Sequence, residues 1–221
     1  MKRSLIIVAV FVICGALAAP AEAGETGWHL RVFAAGFDPS LDEMVPAENP
    51  DEVRVQGATD LGFGASLEYQ FNDRFGLEFG LFTASPDIDI SADIPDYGLL
   101  VLTDSMSARG MVLDVNFHLT PNSPSFDFFI GGGVASMNYG DLHYTDPDGD
   151  PLDLGVGNDT SWTVKAGLDI SLGKHSSWAA IGGVRYIDSE IEVANLNDDA
   201  DGSQTFSYNI FSFTVGIAYS F

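Results

Sequence analysis

Seven chargeable side chains, Arg31, Glu68, Glu78, Asp114, Lys165, Asp169 and Arg185, fall on one parity of strongly alternating segments, among glycine, serine and threonine. Residues two apart share a strand face, so the alternation gathers all seven on one surface. Arg31, Lys165 and Arg185 nearly cancel the four carboxylates. An enclosed surface could not carry these charges unpaired, so the pattern predicts a salt-bridged plug with poor ion conductance. Counted from the short turns, Arg31, Glu68, Glu78, Asp114 and Asp169 lie low and Lys165 and Arg185 higher. Phe33, Phe82, Val112, Phe129 and Ile181 share this parity and break its polar pattern. They predict an apolar patch above and beside the polar floor. It would hold a hydrophobic ligand by burying apolar area at about 25 cal/mol per Å², or would simply fill a narrow interior.

Two acidic stretches offer hard oxygen ligands. In "DPDGDPLD", residues 146–153, Asp146, Asp148, Asp150 and Asp153 recur at short spacing, and "NLNDDADGS", residues 195–203, imitates the opening of a calcium loop. Neither has the bidentate glutamate or flanking helices of a calcium hand. Both read first as solvated acidic loops, and second as weak divalent-cation sites that bridge to lipopolysaccharide phosphates. No other cofactor is expected. Of the four histidines, His29, His118 and His175 fall at one end of the strands and His143 lies in an acidic loop. Neither a G-x-S-x-G elbow nor a metal-spaced histidine pair occurs, so no enzyme is expected.

The elements that must position these groups are strands. A basic Met1-Lys2-Arg3, an apolar run from Leu5 to Ala18 and Ala21-Glu22-Ala23 read as a signal peptide over 1–23. It contains the single cysteine, Cys14, which leaves the mature part, 24–221, without a disulfide or thiolate site. Eight period-two segments follow, with no convincing helix. The last, "FSFTVGIAYSF", sets Phe211, Phe213, Val215, Ile217, Tyr219 and Phe221 against Ser212, Thr214, Gly216, Ala218 and Ser220. Short connections such as Asn72-Asp73-Arg74 alternate with four long ones, near 38–58, 85–104, 138–159 and 188–203. This describes an all-β fold, an eight-stranded antiparallel up-and-down transmembrane β-barrel with short periplasmic turns and long acidic extracellular loops.

Charge and polarity agree with that topology. The formal net charge is −23, and the four long connections carry 23 acids against Arg54 alone. Nucleic acid is excluded as a partner, because a phosphate backbone requires a basic stripe. The face bearing Leu67, Phe79, Val115 and Leu168 is opposed by small residues, too sparse in charge for a solvated exterior. The apolar face is therefore the lipid face and the small one the lumen. Trp28, Tyr69, Phe71, Phe75, Phe117, Phe126, Trp178, Tyr219 and Phe221 read as a periplasmic aromatic girdle, and Trp162, Tyr186 and Tyr208 as an outer one.

The segments "GWHLRVFAAGFDP", "LEYQFNDRFGLEFGLFTASP", "LDVNFHLTPNSPSFDFFIGGGVASMNYG" and "VGIAYSF" resemble the OmpW family of outer-membrane proteins. The chain departs from that family's pattern at "SPDIDI" and at Phe128-Phe129. The resemblance implies a barrel in the Gram-negative outer membrane whose narrow apolar lumen passes or binds small hydrophobic molecules, with release sideways into the membrane. It also implies that the insertion machinery reads the terminal strand through Tyr219 and Phe221. The expected partners are outer-membrane lipid, lipopolysaccharide, that machinery and small hydrophobic ligands. A second reading is a non-transporting surface barrel whose acidic loops bind cations, lipopolysaccharide or external surfaces.

Overall fold

Alternation of large apolar with small or polar residues produces strands that are greasy on one face only, and the chain satisfies all of them by closing a ring. The computed structural model describes residues 27–46, 52–94, 98–121, 123, 125–145, 149, 151–173, 176–195 and 203–221. The predicted signal segment 1–23 lies outside these.

In chain order the strands are β1 (Gly27–Pro39), β2 (Asp42–Pro46), β3 (Glu52–Gly57), β4 (Asp60–Gln70), β5 (Phe75–Ala84), β6 (Asp87–Ile94), β7 (Gly98–Ser105) and β8 (Ala108–His118). They continue as β9 (Phe126–Tyr139), β10 (Leu142–Thr145), β11 (Pro151–Val156), β12 (Asp159–Ser171), β13 (Trp178–Ile187), β14 (Glu190–Asn195), β15 (Ser203–Ser207) and β16 (Ile210–Ser220). Eight of them close a barrel in the order β1-β16-β13-β12-β9-β8-β5-β4, antiparallel throughout. The terminal strand seals the ring, pairing with β1 from His29↔Ser220 to Pro39↔Ile210. His29 pins this seam at its turn end, with Ser220 Oγ 2.9 Å from Nδ1 and Gln70 Oε1 3.1 Å from Nε2.

The outer wall is apolar: Phe63 is 61 % and Val215 67 % exposed, and Leu67, Phe79, Val164 and Ile217 also face outward. Trp28 against Tyr69 and Trp178 against Tyr219 form aromatic pairs at the turn end. At the opposite end Trp162 packs on Tyr186. Tyr208 does not join them: it lies on the inner parity of β16, is 1 % exposed and meets Tyr139 edge-on at 5.4 Å.

The described parts of the four long connections are largely strands. β2-β3-β6-β7 and β10-β11-β14-β15 form two further four-stranded sheets beyond the barrel rim. Their inner faces carry Val55, Ile88, Ile90 and Leu102 on one sheet and Leu142, Tyr144, Leu154, Val156 and Ile191 on the other. All join the hydrophobic cluster that continues down into the barrel. Tyr144 Oη donates to the Ile88 carbonyl at 3.1 Å, bonding one sheet to the other. Acids and hydroxyls occupy the opposite face, as in Thr103 Oγ1→Asp89 Oδ1 at 2.5 Å.

Glycines set the lumen's packing. A Cβ on Gly62 would come within 2.3 Å of the Phe37 ring, on Gly64 within 2.5 Å of Phe33, on Gly110 within 2.0 Å of Phe82 and on Gly167 within 2.3 Å of Phe129. Each inward aromatic therefore lies over a neighbouring strand's glycine, the large-over-small fit that a narrow barrel requires. At Gly133 the nearest contact is backbone, its Cβ meeting the Leu113 carbonyl oxygen at 1.9 Å, closer than the 2.4 Å that Gly62 would have to the Thr83 oxygen, whereas Gly36 has nothing within 4 Å. Gly133→Ala is expected to lower the folded fraction several-fold in heat-modifiable gel mobility after refolding into lipid, and Gly36→Ala to leave it unchanged. Equal folding of the two variants would contradict this account.

Candidate functional site

The inward charges form one cluster. Arg31 Nη1 donates to Glu68 Oε2 at 2.5 Å and to Glu78 Oε2 at 3.0 Å, and Nη2 to Asp169 Oδ2 at 2.8 Å. Lys165 Nζ lies 2.7 Å from Glu78 Oε1 and 3.5 Å from Asp114 Oδ2. Arg185 Nη2 donates to Asp114 Oδ2 at 2.8 Å and Nη1 to Thr163 Oγ1 at 3.2 Å. Lys165 and Arg185, read from sequence as a separate higher tier, thus share their carboxylates with the lower residues.

Three further residues join the cluster, His118 at the turn end among them. His118 Nε2 lies 2.9 Å from Glu68 Oε1, and its Nδ1 is hydrogen-bonded to Asp127. Asn116 Nδ2 donates to Glu78 Oε2 at 3.1 Å. Asp127 is the residue that register could have found, since it pairs across the ladder with Asp169. Seven of the eight barrel strands contribute, all but β16, so the cluster spans the bore.

Beside it, Phe129 lies under Arg31 at 5.0 Å and Lys165 at 5.4 Å from ring centroid to cation, and meets the His118 ring at a tilt, 5.7 Å between centroids. Cation–π attraction is strong where water is scarce, so this ring packs with the charged cluster. Phe33 and Ile181 border the same level, lining with Phe129, Arg31 and Asp169 a space of about 50 Å³. Of the five apolar residues grouped from sequence, the structure keeps Phe82 and Val112 in the upper hydrophobic cluster proper. There Phe82 stacks on Phe37 at 5.2 Å and is joined by Met106, Met137, Tyr139, Ile187 and Ile210, all nearly inaccessible to solvent. Spaces inside this upper region are small, about 20 Å³ beside Val112 and about 10 Å³ beneath Tyr208.

On the outside of the same wall lies a groove of about 700 Å³. Outward Phe63, Ala65, Leu81, Thr83, Arg109, Met111 and Ser136 line it, together with inward Gly64, Phe82, Gly110 and Met137. The ladder beneath is unbroken, with Phe82↔Gly110 and Gly110↔Met137 in register. Groove and upper lumen therefore meet at Phe82 and Gly110 without a hole between them.

The remaining candidates are dispersed. Asp146, Asp148 and Asp150 lie outside the described residues, and so does His175. Asp153 Oδ1 holds His143 Nδ1 at 2.7 Å, a bond that raises the pKa of this exposed imidazole. Among the described residues no group of three or more His, Cys, Asp or Glu is arranged to hold a metal ion. Tyr219 pairs in the ring with Leu30 and Trp178, and exposed Phe221 packs on Tyr219 at 5.0 Å.

A closed ring with apolar side chains outside, an ion-paired cluster within and aromatic pairs at both rims defines a membrane-spanning β-barrel. The chain belongs to the outer membrane protein beta-barrel domain family, whose model matches residues 7–221, and it is an outer-membrane protein. No curated protein matches it. Among solved structures it is similar to the outer membrane protein OprG from Pseudomonas aeruginosa, with 17 % identity and a TM-score of 0.65 over 91 % of this chain and 97 % of that one. AlkL in lipid bilayers gives 15 % identity and a TM-score of 0.59, covering 92 % and 94 %. Neisserial surface protein A gives 10 % and 0.53, covering 88 % and 97 %. At such identities the likeness is one of fold.

Removing one partner from a buried ionic network costs about 3–5 kcal/mol, because the charges left behind are uncompensated. Arg31→Ala, which strips a cation from Glu68, Glu78 and Asp169, is expected to lower the unfolding free energy by about that amount. The measurement is urea denaturation of the barrel folded in lipid vesicles, and an unchanged midpoint would contradict the assignment.

Proposed function

We propose that this barrel takes small hydrophobic molecules from the outer side and releases them sideways into the membrane, as the OmpW-like pattern of its strands implies. One observation carries the reading: the apolar interior runs from the facing sheets beyond the rim down to Phe82 and Val112 and stops on the ion-paired cluster. A hydrophobic molecule gains about 25 cal/mol per Å² of area buried against the upper surface and meets a desolvation barrier at Arg31, Glu78 and Lys165. Straight passage to the periplasm is closed to it. The groove beside Phe82 offers the alternative destination, separated by one aromatic ring and the ladder between β5 and β8. Release requires that ring to turn away from Gly110 and the outer end of the ladder to part.

The tight packing of the upper lumen favours a second reading, a surface barrel that transports nothing and acts through its acidic outer sheets, by way of cations, lipopolysaccharide or external surfaces. Phe82→Asp separates the two. Under the first reading it abolishes uptake of an apolar fluorescent tracer by cells that depend on this barrel, while Phe82→Leu, which keeps the site apolar, retains most of it. Both variants are to be checked for folded gel mobility. Equal uptake with folded Phe82→Asp and with wild type would sink the conduit and favour the surface role.

A further inference from the structure

Arg109 is the anomaly of the lipid-facing wall. It is exposed between buried Ala108 and buried Gly110, so it points outward. It stands at the outer end of the stripe that Met111, Leu113, Val115 and Phe117 form along β8. The cations inside the barrel, Arg31, Lys165 and Arg185, are each held by carboxylates. Arg109 has no ion-pair partner among the described residues, in a chain of 32 acids. Its cross-strand neighbours are Thr83 on one side and Asn138 on the other, both uncharged.

The apolar groove begins beside this guanidinium. Small Ala65 and Ser136 make the depression and Phe63, Leu81 and Met111 make its sides, and Arg109 and Asn138 are on its border. Its volume of about 700 Å³ falls in the range of sites that bury most of a ligand of that size. An apolar trough running into the hydrocarbon, headed at the polar boundary by an arginine that no described carboxylate pairs, selects an amphiphile with an acyl chain and an anionic head. Guanidinium is suited to phosphate because its planar fork can donate two parallel hydrogen bonds to it, and the Asn138 amide and Thr83 hydroxyl stand beside that position.

We infer that this groove is a binding site for one phosphorylated lipid of the outer leaflet, with its phosphate on Arg109 and an acyl chain along Phe63, Ala65, Leu81 and Met111. The lipid would cover the wall outside Phe82. The site does not depend on uptake through the lumen: a lipid-loaded wall with no tracer uptake, or uptake with an empty groove, would tell the two apart.

The test is native mass spectrometry of the barrel released from phosphatidylcholine nanodiscs containing a low mole fraction of bis-phosphorylated lipid A. Wild type is expected to retain one lipid A molecule, and Arg109→Gln to retain about tenfold less. Arg109→Lys, which keeps the charge and loses the fork, is expected to fall between them. Ala65→Trp fills the trough with the charge intact and is expected to lose the lipid as well, while dephosphorylated lipid A is not retained by wild type. Folded gel mobility of each variant keeps the comparison valid. Retention by Arg109→Gln equal to wild type, or equal retention of phosphorylated and dephosphorylated lipid, would overturn the assignment. Loss in Arg109→Gln but not in Ala65→Trp would reduce it to a surface charge contact and overturn the groove.

Discussion

In hydrocarbon an unpaired peptide group has no water to turn to, so every donor and acceptor of a spanning sheet must find a partner in the protein. All else in this molecule follows from that demand. It forces β16 to meet β1, and it does so with eight strands, which leaves a bore narrow enough for side chains to fill. A ring of this size cannot keep large side chains on every strand's inner face. Its aromatic residues are therefore set against glycines one strand away, as Phe82 is over Gly110 and Phe129 over Gly167.

Filling the lower bore with ions rather than hydrocarbon is an expensive way to close it, because each charge gives up its hydration. The arrangement offsets this by sharing. Glu78 is reached by Arg31, Lys165 and Asn116 at once, and Glu68 by Arg31 and His118. Cross-linking seven strands from within also holds the ring in one register, which the uniform apolar exterior could not do. Above this level the interior turns apolar and stays so beyond the rim, where the facing sheets carry Ile88, Tyr144 and Ile191 inward. Among the described residues, outer acids such as Asp89 and Glu192 occupy the exposed face of amphipathic strands. Arg109, at the lipid boundary, has no ion-pair partner among the described residues, and the counter-charge assigned to it is an anion from outside the chain.

Much of this was legible in the sequence. Period-two alternation identified all eight barrel strands, and the smallness of one face identified the lumen. The charged residues Arg31, Glu68, Glu78, Asp114, Lys165, Asp169 and Arg185 all proved to lie on that face. The two sheets beyond the rim were missed although "DIDI" at 87–90 and "EIEV" at 190–193 alternate strictly. Half of each such segment is acid, so its charge reads as loop until a partner sheet is present to bury the other half. Tyr208 reads as a girdle residue by its type although it shares the inner parity of β16, and it packs inside against Tyr139, which lies 69 residues away in sequence.

The sequence by itself determined the eight barrel strands, the two faces and the segregation of charge, because these rest on a local period that each strand carries alone. Only the tertiary structure decided which carboxylate meets which cation, that Phe129 packs under Arg31 and Lys165 while Phe82 packs on Phe37, and that Arg109 borders a groove. Those outcomes depend on the stagger between neighbouring strands. A shift of two residues in any one ladder preserves every face and changes every partner.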